Sequence, residues 1–235
     1  MGNPFQQAIL ATSGLVAYWR FSEGVGSVAG DSGPHGRDMS AVGVPAPAWA
    51  PTLLGGGQTG GATTIVKADN RWWATVSNPS DLNVGDNMTV MAVVKPTATA
   101  LAAGDHLIVS KGLNAYGMGF RDGLFKVHNF VVIIGSDGAP VAGTRYHVAW
   151  SKAGATNLMV LNGADVTPAI TNQTLQDNLV QVSVGNDFNT QFDGQIAEVA
   201  LFNRGLSLAE IQAIYAKIDS APTGSALPGG IGGSF

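Results

Sequence analysis

From residue 15 to about residue 200, apolar and polar positions alternate in short runs broken by turn-forming clusters. A two-residue period sends successive side chains to opposite faces, the signature of a strand with one buried side. The alternation predicts strands at Val16–Phe21, Thr63–Val66, Trp72–Val76, Met88–Lys95, His106–Ser110 and Tyr116–Arg121. It continues through Leu124–His128, Phe130–Ile134, Arg145–Lys152, Asn157–Leu161, Val180–Val184 and Gln195–Phe202. Asp122-Gly123 and Asn162-Gly163 read as two-residue hairpin turns, because these residues tolerate the left-handed backbone that such turns need. One helix is signalled. Ser207 and Glu210 form a capping box, and Leu208, Ile211, Ile214 and Tyr215 follow at helical spacing, predicting a helix to about Lys217. The fold class expected from these patterns is all-β, a two-sheet antiparallel sandwich with one short C-terminal helix. Residues 1–13 read as an N-terminal arm, 14–218 as the domain and 219–235 as a Gly/Pro-rich tail. Such a tail cannot pack a core of its own and is disordered unless something ties it down. The Gly-rich stretch Leu54–Gly61 reads as a flexible connection.

Composition narrows the function. Hydrophobic residues make up 45% of the 235 positions, ample for a core, and 32 glycines suit a fold of short strands and tight turns. Charged residues are only 12%, about half the usual ~25%. A surface this poor in charge suggests cover by a partner. The net charge of −4 and the singly scattered Lys and Arg argue against nucleic acid. Cysteine is absent, which removes disulfides, thiolate metal sites and Cys nucleophiles. No apolar run reaches the ~20 residues of a membrane span. The opening Met1–Gln7 has no basic region before the short apolar run Ala8–Ala11, so no secretory signal is expected.

Several segments together resemble one family. Gly14-Leu15-Val16-Ala17-Tyr18-Trp19-Arg20-Phe21-Ser22-Glu23-Gly24, with Asp31-Ser32-Gly33 in the next loop, is similar to the opening strand of laminin-G-like, concanavalin A-like domains. Asn78–Leu82 with Met88–Pro96, then Ser110-Lys111-Gly112, Tyr146–Trp150 and Leu161-Asn162-Gly163, follow in that family's order. Phe192–Val199 and Leu201–Ser207 resemble its closing strand and helix entry. The resemblance implies the jelly-roll fold over about residues 14–217. It does not choose a function, because the scaffold serves lectins, glucanases, adhesion modules and virus structural proteins.

The residues of a hydrolase are missing. Glycan-cleaving members of the fold use two carboxylates ~5 Å apart, set on one strand as Glu-x-Asp-x-x-Glu. Here the only glutamates are Glu23, Glu198 and Glu210. Glu210 belongs to the helix cap, Glu23 to the first loop, and Glu198 is followed by Val199-Ala200-Leu201-Phe202. His35, His106, His128 and His147 stand singly, without zinc spacing. His147, inside a strand, reads as a satisfied structural histidine. There is neither a nucleophile elbow nor a phosphate loop.

Two binding sites remain candidates. The resemblance implies a calcium between first loop and closing strand, which would use Asp31; the closing-strand acid is replaced by Ala197, leaving Asn186, Asp187 and Asp193 as substitute oxygens. The competing reading of Asp31 is ordinary turn chemistry. For a sugar, Asn70, Arg71, Trp72 and Trp73 combine aromatic rings with polar groups. Adjacent Trp72 and Trp73 must point to opposite faces, so only one is core. Trp19, Phe21 and Trp150 read as core. Trp49, flanked by prolines, sits in an extended segment that clasps the domain or a neighbour. Two functions fit a non-catalytic jelly roll, the first favoured by the sparse charge and the Gly-rich tail, the second its alternative. One is a virion component, such as a phage capsid-decoration (cement) or tail-associated protein, with capsid proteins and its own copies as partners. The other is a carbohydrate-binding module or lectin domain working outside the cell.

Overall fold

The computed structural model describes residues 3–112, 115–128, 133–135, 139–169, 172, 174–186 and 190–222. In chain order it contains helix α1 (Pro4–Ala11) and strands β1 (Leu15–Trp19), β2 (Val28–Ala29), β3 (Met39–Val42), β4 (Ala48–Pro51) and β5 (Gly61–Ile65). Next come β6 (Trp72–Thr75), β7 (Asn87–Pro96), β8 (Asp105–Ser110), β9 (Gly117–Arg121), β10 (Leu124–His128) and β11 (Ile133–Gly135). The chain continues with β12 (Tyr146–Ala153), β13 (Thr156–Leu161), β14 (Ala164–Asp165), β15 (Ser183–Val184), β16 (Gly194–Phe202) and helix α2 (Leu208–Tyr215).

The strands form two antiparallel sheets. The first runs β14-β13-β12-β7-β16-β5-β4, with β1 on the far half of β16. The second runs β11-β10-β9-β8-β15-β6-β3-β2. Their facing sides enclose one core, in which Trp19, Trp73, Val94, Phe120, Phe125 and Trp150 are all buried. Each large apolar side chain so buried contributes about 1.5–3 kcal/mol. The turns at Asp122-Gly123 and Asn162-Gly163 are as expected, all four residues having φ between 50° and 76°.

The outer face of the first sheet carries a second core, and here the structure departs from expectation. Among the described residues there are two α-helices, not one. Asn3 caps α1, its Oδ1 accepting from the N–H of Phe5 at 3.0 Å and of Gln6 at 3.1 Å, and Pro4 takes the first turn, where a missing N–H costs nothing. Phe5 and Ile9 of α1 pack with Ile211 and Ile214 of α2 over Met91 and Val93 of β7. The expected helix is α2, with its capping box complete.

The stretch Leu54–Gly61 is pinned rather than flexible. Gly55 N–H donates to Ile218 O at 2.9 Å, and the Gln58 amide donates to Lys217 O and Ile218 O. Gly56 lies against Asp219 and Ser220 with left-handed backbone and no space for a Cβ, which accounts for the glycines. Trp49 clasps its own domain: its indole N–H donates to Gly26 O at 3.1 Å and its ring tilts onto Trp73. The predicted strand Val180–Val184 shrinks to Ser183–Val184, because Val180 O is held by the Lys111 ammonium at 2.8 Å. Of the predicted strand Phe130–Ile134, residues 130–132 lie outside the described residues, as does the tail from residue 223.

Candidate functional site

The Asn70–Trp73 segment lies at one end of the sandwich and splits as its alternation requires. Trp73 is fully buried against Phe21 and Trp49, with its indole N–H donating to Thr63 Oγ1 at 2.8 Å. It belongs to the core and leaves the list of ligand contacts. Trp72, paired across to Val42, takes the outer face of the second sheet and is half-buried. Asn70 is exposed with φ 52° at the end of a short 3₁₀ turn. Arg71 is committed to holding the rim: it pairs with Asp69 and donates to Pro45 O at 3.2 Å. The structure thus gathers Asn70, Arg71 and Trp72 at one rim and removes Trp73.

Asp31 does not fit a calcium ligand. Its Oδ1 accepts from the backbone N–H of Tyr18 and of Gly33, both at 2.7 Å, and its Oδ2 accepts from that of Arg37 at 2.8 Å. Three N–H dipoles aimed at one carboxylate occupy most of its lone pairs and leave little for a cation. Glu23 Oε1 is likewise taken by Gly30 N–H, and Asp193 by Lys67 N–H and the Thr97 hydroxyl. Asn186 is buried, with no partner for its Oδ1 among the described residues, and Asp187 lies outside them. Among the described residues no three potential ligands converge. The turn reading of Asp31 replaces the calcium reading.

The glutamates are equally committed. Glu210 pairs with Arg204 at 2.6 Å and caps α2. Glu198 sits in a bulge of β16: between the pairs Ala197–Val93 and Ala200–Met91 this strand has two residues where β7 has one. The extra residue takes φ 53° and turns Glu198 outward, under the Leu54–Gly61 stretch. There it is fully buried, accepts a hydrogen bond from the Tyr18 hydroxyl, and lies 3.8 Å from Arg20 Nε. Burial pushes its pKa up to about 7, opposed by Tyr18 and Arg20. Its Oε1 has no hydrogen-bond partner. His147 is structural but not satisfied: it packs between Phe5 and Tyr215 with neither ring nitrogen bonded, and burial lowers its pKa to about 4. Among the described residues, these glutamates and His147 do not present a nucleophile and an acid to a common space.

A third feature escaped the sequence. Thr64, Gln195 and Lys95 stand side by side on β5, β16 and β7, since Gln195 pairs with Thr64 on one side and Lys95 on the other. Their strand neighbours Ile65, Ile196 and Val94 face the core, so this row points outward. It forms one side of a groove of about 530 Å³. Each residue has outward parity in the sequence, but their adjacency depends on a strand order that local pattern does not contain.

This two-sheet sandwich is of the jelly-roll kind, and the comparisons place it. Residues 68–212 match the family model described as the concanavalin A-like lectin/glucanases superfamily, and the chain belongs to that superfamily. No curated protein matches it in sequence. Among solved structures, it resembles domain 4 of AbnA, an extracellular arabinanase from Geobacillus stearothermophilus in complex with arabinotriose. That likeness has TM-score 0.61 and 16% identity, over 86% of this chain and 98% of the other. It also resembles the binding domain of Paraclostridial Mosquitocidal Protein 1 (TM-score 0.62, 11% identity, 86% of this chain and 52% of that one). Trypanosoma rangeli sialidase matches with TM-score 0.56 and 16% identity over 88% of this chain, which spans 33% of the sialidase chain. Likenesses at this identity concern the fold.

Proposed function

We propose that the domain is a non-catalytic module that binds an oligosaccharide at the rim around Trp72. The observation that carries this reading is the commitment of all three glutamates: Glu23 to a loop N–H, Glu198 to a buried bond with Tyr18, Glu210 to a helix cap and Arg204. A glycosidase of this fold needs two carboxylates facing one cleft. What remains is surface, and the half-buried Trp72 ring beside the exposed Asn70 supplies a stacking face with a polar neighbour. The arabinotriose in the domain of nearly equal extent supports the sugar as ligand class. Calorimetric titration with a panel of oligosaccharides tests this. Trp72→Ala is expected to weaken binding by about two- to tenfold, on the scale of a stacked ring, with circular dichroism unchanged. Equal binding by wild type and variant contradicts the site.

A second reading, a virion surface component, draws on the 12% charge and on Val76 and Leu179, which are 69% and 91% exposed on loops at the opposite end of the sandwich. It predicts sedimentation with particles and no saccharide binding by the isolated chain.

A further inference from the structure

We infer that the groove beside the Thr64–Gln195–Lys95 row is a second binding site, and that it takes a carboxylate-bearing saccharide, such as a uronic-acid oligosaccharide. The inference extends the oligosaccharide reading but uses a different surface. The groove walls are tied together before any ligand arrives. Lys67 N–H donates to Asp193 Oδ2 at 3.0 Å, Thr97 N–H donates to Asp193 O at 3.0 Å, and Gly143 N–H donates to Pro96 O at 2.7 Å. Four connecting segments are thereby tied together around one opening, and a preformed site avoids the entropy of ordering them on binding. Val66, Pro96, Ala98 and Ala142 offer an apolar surface for the C–H face of a sugar ring, while the polar row lies along one side. Adjacent strands are ~4.8 Å apart, so the row spans ~10 Å. That is about the length of a disaccharide.

Charge selects the ligand. Every arginine of the chain has a carboxylate within ion-pair distance. Lys152 pairs with Asp86, and Lys111 is enclosed by Asn78, Asn178 and Val180. Lys95, like Lys67, Lys126 and Lys217, has no ion-pair partner among the described residues, and of these four it is the one that lines the groove, where it is exposed. The groove's acid, Asp193, has its two carboxylate oxygens already accepting from Lys67 N–H and Thr97 Oγ1. An unpaired ammonium beside an amide (Gln195) and a hydroxyl (Thr64) matches a ring bearing one carboxylate among its hydroxyls. The chain's net charge of −4 gives no general attraction for polyanions, so any preference for acid sugars must be local.

The test is a glycan array carrying uronate- and sialate-bearing oligosaccharides beside neutral counterparts of equal length, followed by titration of the best acid ligand. Wild type is expected to prefer the acid member. Lys95→Gln is expected to weaken that binding about tenfold, in line with loss of one charge-assisted bond. Lys126→Gln, in neither site, should leave it within twofold. Neutral-sugar binding that depends on Trp72, with no gain from a carboxylate, overturns the inference and leaves the proposed function standing. A Lys95→Gln variant that binds acid sugar like wild type overturns it as well. If no saccharide of either kind binds, both readings fall.

Discussion

The Tyr18 hydroxyl donates a hydrogen bond to Glu198, across 180 residues of sequence, and neither side chain touches solvent. The contact joins β1 to the bulge of β16 beneath the pinned loop, and Arg20 Nε stands 3.8 Å from the carboxylate. Burial raises the affinity of Glu198 for its proton, and burial raises that of Tyr18 in the same direction, so Tyr18 remains the donor.

This carboxyl makes stability fall as pH rises. Its folded pKa of about 7 exceeds the ordinary value of 4.5, so its contribution is complete below pH 4.5 and is lost by pH 7 to 8. His147, lowered to about 4 from 6.5, acts in the opposite sense, but only below pH 6.5. Between pH 6.5 and 7.5 the Glu198 effect therefore dominates, because Lys111, lowered to about 8 by burial, adds stability in the opposite sense mainly above that interval. Thermal unfolding should show wild type losing stability over that interval, while Glu198→Gln stays nearly flat. Parallel curves for the two proteins contradict the account.

The tryptophan pair separates core from surface. Trp73→Ala empties a site enclosed by Phe21, Trp49 and Thr63, and should cost about 3–5 kcal/mol of stability by chemical denaturation. Trp72→Ala, on the outer face, should cost less than about 1 kcal/mol. A reversed order contradicts the assignment of faces.

Asp31 offers a third check. Asp31→Ala strands three backbone N–H groups and should destabilise by about 1–3 kcal/mol. Because the carboxylate is filled by those groups, millimolar calcium should not raise the melting temperature of the wild-type protein. A calcium-dependent rise that Asp31→Ala abolishes contradicts this reading.

The long strands, the two hairpin turns and the α2 capping box were legible because each is a local pattern: alternation, an Asx-Gly pair, a Ser and Glu three apart. Strands β2, β3 and β4 were not, since two to four residues between glycines and prolines carry too little periodicity to stand out. Helix α1 did leave a trace, an Asn-Pro cap with Phe5 and Ile9 four apart, but one turn of apolar spacing is a weak signal without the sheet it covers. At the rim, alternation required Trp72 and Trp73 to part without saying which turns inward; Thr63 and Trp49, the partners that receive Trp73, come from other strands. The bulge that buries Glu198 and the row that exposes Lys95 belong to strand pairing alone.

The claim that this sandwich binds sugar without cutting it is tested most directly in one vessel. The purified chain is titrated calorimetrically with an oligosaccharide panel, and the sugars are recovered after a day and resolved by chromatography. The account predicts saturable heat for at least one member and sugars recovered intact. Shortened products that disappear in Glu198→Gln or Glu23→Gln would contradict it.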